Sequence, residues 1–153
     1  MAIDPDTGAT AAQEPRRSEG GCQCGAIRYE VVDAPLRPYV CHCRECQKQS
    51  ASAFGISVPV PARAFHLVSG TPAVWTRTGG SGALLDCVFC GTCGTRVWHQ
   101  VRADATTIYL KGGSLDEPLD LSAARHIWTS RMLRGVVVLE AANCSPGEPG
   151  ESD

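Results

Sequence analysis

The 153-residue sequence predicts a mainly β protein, and three features of the chain support this fold class. Short runs in which apolar and polar residues alternate recur between turns rich in glycine and proline, as expected for half-buried strands. No long stretch repeats its apolar residues with the period of an amphipathic helix. Seven of the nine cysteines stand in tight groups, which is typical of a small fold stabilised by metal ions. We therefore expect a single domain of short strands, arranged as a sandwich or a barrel-like fold.

The predicted strands follow one another with little room for helix. In chain order they are residues 26–32, 54–60, 65–68, 73–78, 83–89, 95–101, 106–111, 126–129 and 135–139. Pro59 and Pro61 are expected to end the second strand, because proline cannot donate a hydrogen bond to a sheet. The Ser-Gly-Thr-Pro turn at 69–72 predicts a hairpin between the strands on either side of it. Helix is expected only as a turn after Cys46 and another near Leu121–Arg125.

Composition sets the expected limits of this domain. Residues 1–19 are rich in small and acidic residues and have no apolar period, so they are predicted to form a disordered leader. Residues 142–153, which include Ser-Pro-Gly-Glu-Pro-Gly, are predicted to form a disordered tail for the same reason. The folded domain is expected to span residues 20–141.

Charge and hydropathy exclude several classes of partner. The formal net charge is −2, with no clustered basic face of the kind that binds nucleic acid. No apolar run approaches the roughly 20 residues that span a bilayer, and the N-terminus lacks the pattern of a secretory signal. Grouped cysteines need to stay reduced to bind metal, so a cytoplasmic location is expected.

Two separated cysteine pairs have the spacing of a closed metal site. They are Cys22 and Cys24 in a C-x-C run, and Cys90 and Cys93 in a C-x-x-C run; we call these four residues the outer cluster. Residues i and i+2 of an extended chain point the same way and lie roughly 6.6 Å apart, so Cys22 and Cys24 can aim both sulfurs at one ion, and Cys90 and Cys93 form a tighter turn. Gly25 and Gly94 follow the pairs and can take the positive φ that a tight turn needs. Four thiolates complete a structural zinc site.

Three further cysteines, Cys41, Cys43 and Cys46, form a C-x-C-x-x-C run that we call the triplet. Three protein ligands are typical of catalytic zinc, which keeps one position open for water or substrate. Alternatively, His42, Cys87 or a distant side chain completes a second structural site. An extended segment would point His42 away from its neighbours, and Cys87 is expected to be a small core residue. Cys144 is expected to be a free thiol.

Other polar residues carry weaker signals. His66 and His99 lie in strand-like runs and are expected to be structural, and His126 either is structural or faces the triplet. Three cations near the cysteine motifs could meet a substrate carboxylate: Arg44, Lys48 and Arg96.

The cysteine motifs also carry a resemblance. The runs Gly21–Tyr29, Cys41–Cys46 and Phe89–Thr95, in this order, together with His126–Thr129, resemble the glutathione-dependent formaldehyde-activating family over about residues 20–139. The resemblance implies an Mss4-like (β-tent) fold of short antiparallel sheets around a structural zinc. It also implies two zinc ions per chain, a structural one held by the outer cluster and a catalytic one held by Cys41, Cys43 and Cys46.

The family reaction is a carbon–sulfur lyase reaction that joins glutathione to formaldehyde as S-hydroxymethylglutathione, so glutathione and a small aldehyde are the implied partners. Family members often have Arg-Lys-x-Ser-Gly after the triplet, whereas this chain has Gln47 in place of the arginine.

Two hypotheses follow. The first is a zinc enzyme that adds a thiol such as glutathione to formaldehyde or a similar small carbonyl. In that reaction an alkoxide forms and needs a proton donor, which the sequence does not identify. The second is a non-enzymatic, zinc-stabilised scaffold that binds a protein or a small thiol, because fold alone does not decide function. An exchangeable ligand at the triplet metal favours the enzyme, and a fourth protein ligand favours the scaffold.

Overall fold

A computed structural model describes residues 16–139 and 142–149 of the chain. Most of their regular structure is β, with one α-helix, as the sequence predicts. The strands are β1 (Arg17–Gly21), β2 (Arg28–Val32), β3 (Tyr39–Cys41), β4 (Gly55–Pro61), β5 (Phe65–Ser69), β6 (Ala73–Thr78), β7 (Leu84–Phe89), β8 (Arg96–Val101), β9 (Thr107–Lys111) and β10 (Arg125–Ile127). The helix is α1 (Arg44–Ser50), and short 3-10 helices lie at Ala62–Ala64, Gly112–Ser114 and Thr129–Arg131.

The strands form two sheets. The smaller sheet has the order β1-β2-β5 and is antiparallel throughout. The larger sheet has the order β10-β3-β4-β9-β8-β7-β6 and is antiparallel except where β10 runs parallel to β3. The mainly β prediction is therefore confirmed.

The hydrophobic core joins the two sheets. Tyr29 of the smaller sheet and Leu110 of the larger one are almost fully buried in the same cluster. Phe65 of the smaller sheet packs against Tyr29 and against Trp98 of the larger sheet, with its ring centroid 5.4 Å from that of Tyr29 and 4.9 Å from that of Trp98. Since neighbouring residues of a strand point to opposite faces, only one face of the larger sheet packs against this core. Its other face is left free to line a site.

One predicted hairpin is wrong. The turn at residues 69–72 does not pair its two flanking strands: β5 pairs with β2 in the smaller sheet, and β6 pairs with β7 in the larger sheet. The turn therefore carries the chain from one sheet to the other, and turn chemistry alone does not reveal this.

Pro59 also does not end its strand. It lies in β4 opposite Tyr109, beyond the point where β3 stops pairing at Ser57, on a sheet edge where proline is tolerated.

Several other local predictions need correction. No strand forms at 135–139, where the apolar side chains of Val137 and Leu139 are exposed, and Leu121–Arg125 contains a hydrogen-bonded turn in place of helix. Two strands are missing from the prediction: β1, and the three-residue β3, which is too short to show an alternating pattern.

The folded part extends beyond both predicted limits. β1 begins at Arg17, within the predicted leader, because its backbone pairs with β2. Residues 142–149, within the predicted tail, lie against β10: Ser145 is buried, and its N–H donates to the carbonyl of His126. The rest of both predicted segments lies outside the described residues. Within the described part of the chain, no helix has the length and apolar character needed to cross a membrane.

Candidate functional site

The outer cluster joins two hairpin turns, one from each sheet. Cys22 and Cys24 lie in the β1–β2 turn, and Cys90 and Cys93 lie in the β7–β8 turn. The four Sγ atoms all lie within 4.8 Å of one another, so they could hold one metal ion. The Sγ of Cys24 is 3.5 Å from that of Cys22 and 3.7 Å from that of Cys90. A tetrahedral ion with metal–sulfur bonds of about 2.3 Å needs sulfurs about 3.8 Å apart, and the cluster fits this spacing.

Backbone hydrogen bonds shape both turns around the sulfurs. The N–H of Gly25 donates to the carbonyl of Cys22 at 3.0 Å, and the N–H of Gly94 donates to that of Cys90 at 2.9 Å. Both glycines have positive φ, 79° and 75°, as the sequence predicts. The N–H of Ile27 donates to the Sγ of Cys22 at 3.2 Å, which favours a thiolate there.

The triplet is assembled at the junction of a strand and a helix. Cys41 ends β3, Cys43 is the N-cap of α1, and Cys46 lies in the first turn of α1, where its N–H donates to the Sγ of Cys43. Their Sγ atoms also lie within 4.8 Å of one another and could hold a metal ion. Among the described residues, no fourth cysteine, histidine or carboxylate belongs to this group.

The alternative fourth ligands point elsewhere. His42 is fully buried, with its Nε2 3.0 Å from Nδ1 of His126, so the two histidines pair with each other. Cys87 is buried on β7 near the amide of Gln49 and belongs to neither cysteine group. Cys144 is an exposed free thiol. The triplet thus remains a three-sulfur group within the described part of the chain.

A cavity of about 440 Å³ opens beside the triplet. This size suits a small-molecule site. All three triplet cysteines line it, and none of the outer cluster does. Its floor is the free face of the larger sheet, on which Ser57, Lys111, Tyr109 and His99 follow one another across β4, β9 and β8. One wall is made by Trp128 and Glu148, joined by a 2.8 Å hydrogen bond from the indole Nε1.

The cavity floor is cationic, and a β-bulge contributes one of the cations. Val88 of β7 pairs with Trp98, but the next residue, Phe89, pairs with Arg96, so Val97 is an extra residue in β8. Regular alternation would place Arg96 beside Trp98 on the core face. The bulge instead turns Arg96 into the cavity, as bulges often re-aim a side chain near a site. Arg96 has no hydrogen bond or ion pair to any described residue.

Lys111 is the second cation of the floor, and its side chain is only 8% exposed. Its Nζ lies 2.7 Å from Nδ1 of His99 and 3.2 Å from Oγ of Ser57. Burial, together with the nearby positive charge of Arg96, lowers the pKa of Lys111 to about 7. Burial, together with the charge of Lys111, lowers the pKa of His99 to about 2, so His99 is neutral and accepts from the amine. Arg77, on β6, is the third cation of this surface.

These cations also act on the triplet. The pKa of Cys46 is lowered to about 3, first by hydrogen bonds from the thiols of Cys41 and Cys43 and then by the charges of Lys111 and Arg96. The positive floor therefore favours a thiolate at Cys46, which is the ionised form that binds metal.

The structure separates the predicted site residues. Of the three cations chosen from sequence, only Arg96 lines the cavity; Arg44 and Lys48 lie on the exposed side of α1, and His66 is exposed on β5. Gln47, which replaces a common family arginine, is buried outside the cavity and donates to the backbone carbonyls of His42 and Arg131.

Sequence reasoning missed Lys111 and Arg77, and it assigned His99 a purely structural role. A usable signal was present in β9. Lys111 is the charged residue of this strand, and it is two residues from Tyr109, so both point to the same face. Ile108 and Leu110 point to the opposite, core face, so the alternation predicts that the charge of Lys111 lies on the face away from the core.

Comparison with known proteins identifies a family and a similar fold. The family model described as "Glutathione-dependent formaldehyde-activating enzyme" matches residues 17–131. Among solved structures, a crystal structure of a Rhodobacter sphaeroides protein is similar, with a TM-score of 0.53 and 23% sequence identity. The match covers 71% of this chain and 98% of that protein, and at this identity it supports the fold alone.

Proposed function

Because the chain belongs to the glutathione-dependent formaldehyde-activating enzyme family, we propose that it is a zinc enzyme that adds a thiol to a small carbonyl. Glutathione and formaldehyde are the proposed substrates, S-hydroxymethylglutathione is the product, and the reverse step is a carbon–sulfur lyase reaction. One observation carries the proposal: the triplet opens onto the cavity, whereas the outer cluster is remote from it. The outer cluster is accordingly proposed to hold a structural zinc and the triplet a catalytic one. Nine free cysteines suit a reducing compartment, and we propose a cytoplasmic location.

The residues of the cavity would bind and orient the substrates. Thiolate donors in these two groups fit zinc, which prefers sulfur and nitrogen ligands. When bound at the triplet, zinc lowers the pKa of a coordinated thiol and so supplies the nucleophilic thiolate. Cys41, Cys43 and Cys46 would place that thiol at the mouth of the cavity, and the face of the larger sheet would support the carbonyl beside it. Trp128 and Glu148 would close one side and limit the access of water.

Arg96 and Arg77 would recognise the substrate carboxylates. Glutathione carries two carboxylates, and a guanidinium binds such a group through two parallel hydrogen bonds. Arg96 is half-buried and makes no hydrogen bond to a described residue, so its guanidinium is available for this contact. We expect Arg96→Met to raise KM for glutathione about tenfold or more with a smaller change in kcat. Arg63→Met, at an exposed position outside the cavity, serves as the matched control.

The central experiment compares the rate of S-hydroxymethylglutathione formation by metal-loaded protein with the spontaneous rate, followed by NMR exchange. Cys46→Ser should abolish the acceleration, and Cys144→Ser, which removes an exposed thiol outside both groups, should not. A wild-type rate equal to the spontaneous one would rule out these substrates. X-ray absorption at the triplet metal would then separate the scaffold hypothesis from the enzyme hypothesis. A fourth protein ligand, as the scaffold hypothesis expects, leaves no position that an added thiol can fill.

A further inference from the structure

Lys111 has the features of a reactive group that is held ready in the cavity. It is one of only two lysines in the chain, and the other, Lys48, is exposed on α1. Burying a lysine side chain this deeply is costly unless its amine is hydrogen-bonded or neutral, so the position is an unusual one for lysine. The Nζ atom is fixed from two sides, by Oγ of Ser57 on β4 and Nδ1 of His99 on β8. Such fixation is what a catalytic group needs to act without reorganising.

Counting donors shows that one N–H remains free. A protonated lysine has three N–H donors and no acceptor. Two of them are used by Ser57 and His99, and no third described residue accepts from Nζ. His99 is stacked on Tyr109, with ring centroids 4.7 Å apart, which fixes the plane in which its acceptor nitrogen lies. The third N–H is therefore available to a ligand in the cavity that Lys111 lines.

The surroundings of Lys111 contain no carboxylate that neutralises it. The titratable and charged groups around it are Tyr39 on β3, Cys46 on α1, Arg77 on β6, Cys87 on β7, Arg96 and His99 on β8, and Tyr109 on β9, and Cys41, Cys43 and Arg131 line the same cavity. The two cavity carboxylates, Glu45 and Glu148, form no ion pair with it, and Glu148 is engaged by Trp128. Among the described residues, the thiolate of Cys46 is the anion whose charge acts on Lys111. A developing negative charge next to the triplet would therefore meet the ammonium directly.

We propose that Lys111 is the proton donor to the carbonyl oxygen in the thiol addition, a role that rests on the proposed function. The thiolate sulfur forms a bond to the carbonyl carbon, and the π electron pair moves to oxygen. The free N–H of Lys111 first donates a hydrogen bond to this oxygen and then transfers its proton, leaving a neutral amine and a hydroxyl group. The proton that the substrate thiol lost on ionising restores the ammonium, so no further reactant is needed. In the reverse direction the neutral amine removes the hydroxyl proton as the carbon–sulfur bond breaks.

Ser57 and His99 are positioning residues in this scheme. Each accepts one N–H of Lys111, and together they leave the third directed at the substrate. The proposal also explains why a neutral histidine lies beside a lysine: a cationic histidine could not accept from it.

The test measures kcat, KM and their pH dependence above the spontaneous rate for wild type and three variants. Proton transfer by a positioned side chain typically contributes 10²–10⁴-fold, so Lys111→Met should lower kcat about 100-fold or more with little change in KM for glutathione. Lys111→Arg keeps the positive charge and an N–H donor, but it cannot release a proton near neutral pH. Its KM should therefore match that of the wild type, whereas its kcat should be lowered. Lys48→Met, the matched control, should behave as wild type. Metal content and melting temperature establish that each variant is folded and loaded.

The pH dependence of kcat distinguishes proton donation by Lys111 from a purely structural role, which would leave this dependence unchanged. Since the donor must be protonated, wild-type kcat should fall as pH rises through the pKa of Lys111, about 7, and this limb should be absent from Lys111→Arg. A folded, metal-loaded Lys111→Met with wild-type kcat would overturn the proposal while leaving the proposed function intact. So would a wild-type kcat that does not decline above neutral pH, even if both Lys111 variants fail to fold. A wild type no faster than the spontaneous reaction would instead overturn the proposed function, and this role with it.

Discussion

Serine substitutions in the two cysteine groups should have very different consequences for folding. Cys93→Ser removes one ligand from the outer cluster, in which the Sγ atoms of Cys24 and Cys90, 66 residues apart in sequence, lie 3.7 Å from each other. This cluster joins the β1–β2 turn of the smaller sheet to the β7–β8 turn of the larger one. Cys46→Ser removes a ligand from a group whose members lie within one short strand–helix junction. Only the first change therefore disconnects distant parts of the chain.

The expected magnitudes follow from this difference. Apparent zinc binding at a structural site is worth on the order of 10–16 kcal/mol, and metal binding there is folding free energy. The net stability of a domain is roughly 5–15 kcal/mol, so losing the outer site should remove most or all of it. We expect Cys93→Ser to be unfolded or to lose cooperative melting. Cys46→Ser should melt cooperatively and contain about one zinc per chain where the wild type has about two.

The assay combines metal analysis of purified protein with thermal melts followed by circular dichroism. Cys144→Ser, an exposed cysteine outside both groups, provides the control and should match wild type in both measurements. Unfolding of Cys46→Ser as severe as that of Cys93→Ser would contradict this expectation. That outcome would mean that the triplet also holds distant parts of the structure together and that both metals are structural.

Three further predictions concern the core, the buried lysine and the C-terminal segment. Tyr29→Phe removes the buried 2.9 Å hydrogen bond between the phenol and Ser114, so stability should fall by about 1 kcal/mol and the melting temperature by about 2–4 °C; an unchanged melt would contradict this. The pKa of Lys111 is lowered to about 7 in the folded protein from its ordinary 10.5, so between these values the unfolded chain binds more protons and folding stability rises with pH. Lys111→Met lacks this contribution, so its free energy of unfolding, measured with denaturant, should rise with pH less steeply than that of the wild type. The two slopes should differ by up to about 1.4 kcal/mol per pH unit, and equal slopes would show that the pKa is not lowered. Deleting residues 142–153 removes the acceptor of the Trp128 indole and backbone hydrogen bonds to β10, so KM should rise several-fold at unchanged metal content; an unaltered KM would mean that this wall does not bind substrate.

Local spacing explains how much of the candidate site could be predicted. Sulfurs two or three residues apart are brought together by strand or turn geometry alone, and the structure places the four outer sulfurs together and the three triplet sulfurs together. The positive φ at Gly25 and Gly94 follows from the same local geometry. Pairing between strands is different, because it depends on surfaces far apart in the chain. The turn at 69–72 therefore indicated a hairpin, although its two strands lie in different sheets.

The mainly β class and the grouping of the cysteines can be predicted from the chain alone, because alternation and ligand spacing are properties of a few consecutive residues. The residues that face the triplet depend instead on how distant strands pair. The register of β4, β9 and β8 sets Ser57, Lys111 and His99 in a row, and a single extra residue at Val97 turns Arg96 out of the core and into the cavity. Register and bulges are set by packing across the sheet, where a shift of one residue exchanges the two faces. The cationic floor beside the cysteines therefore depends on the pairing of distant strands, and it cannot be predicted from any run of neighbouring residues.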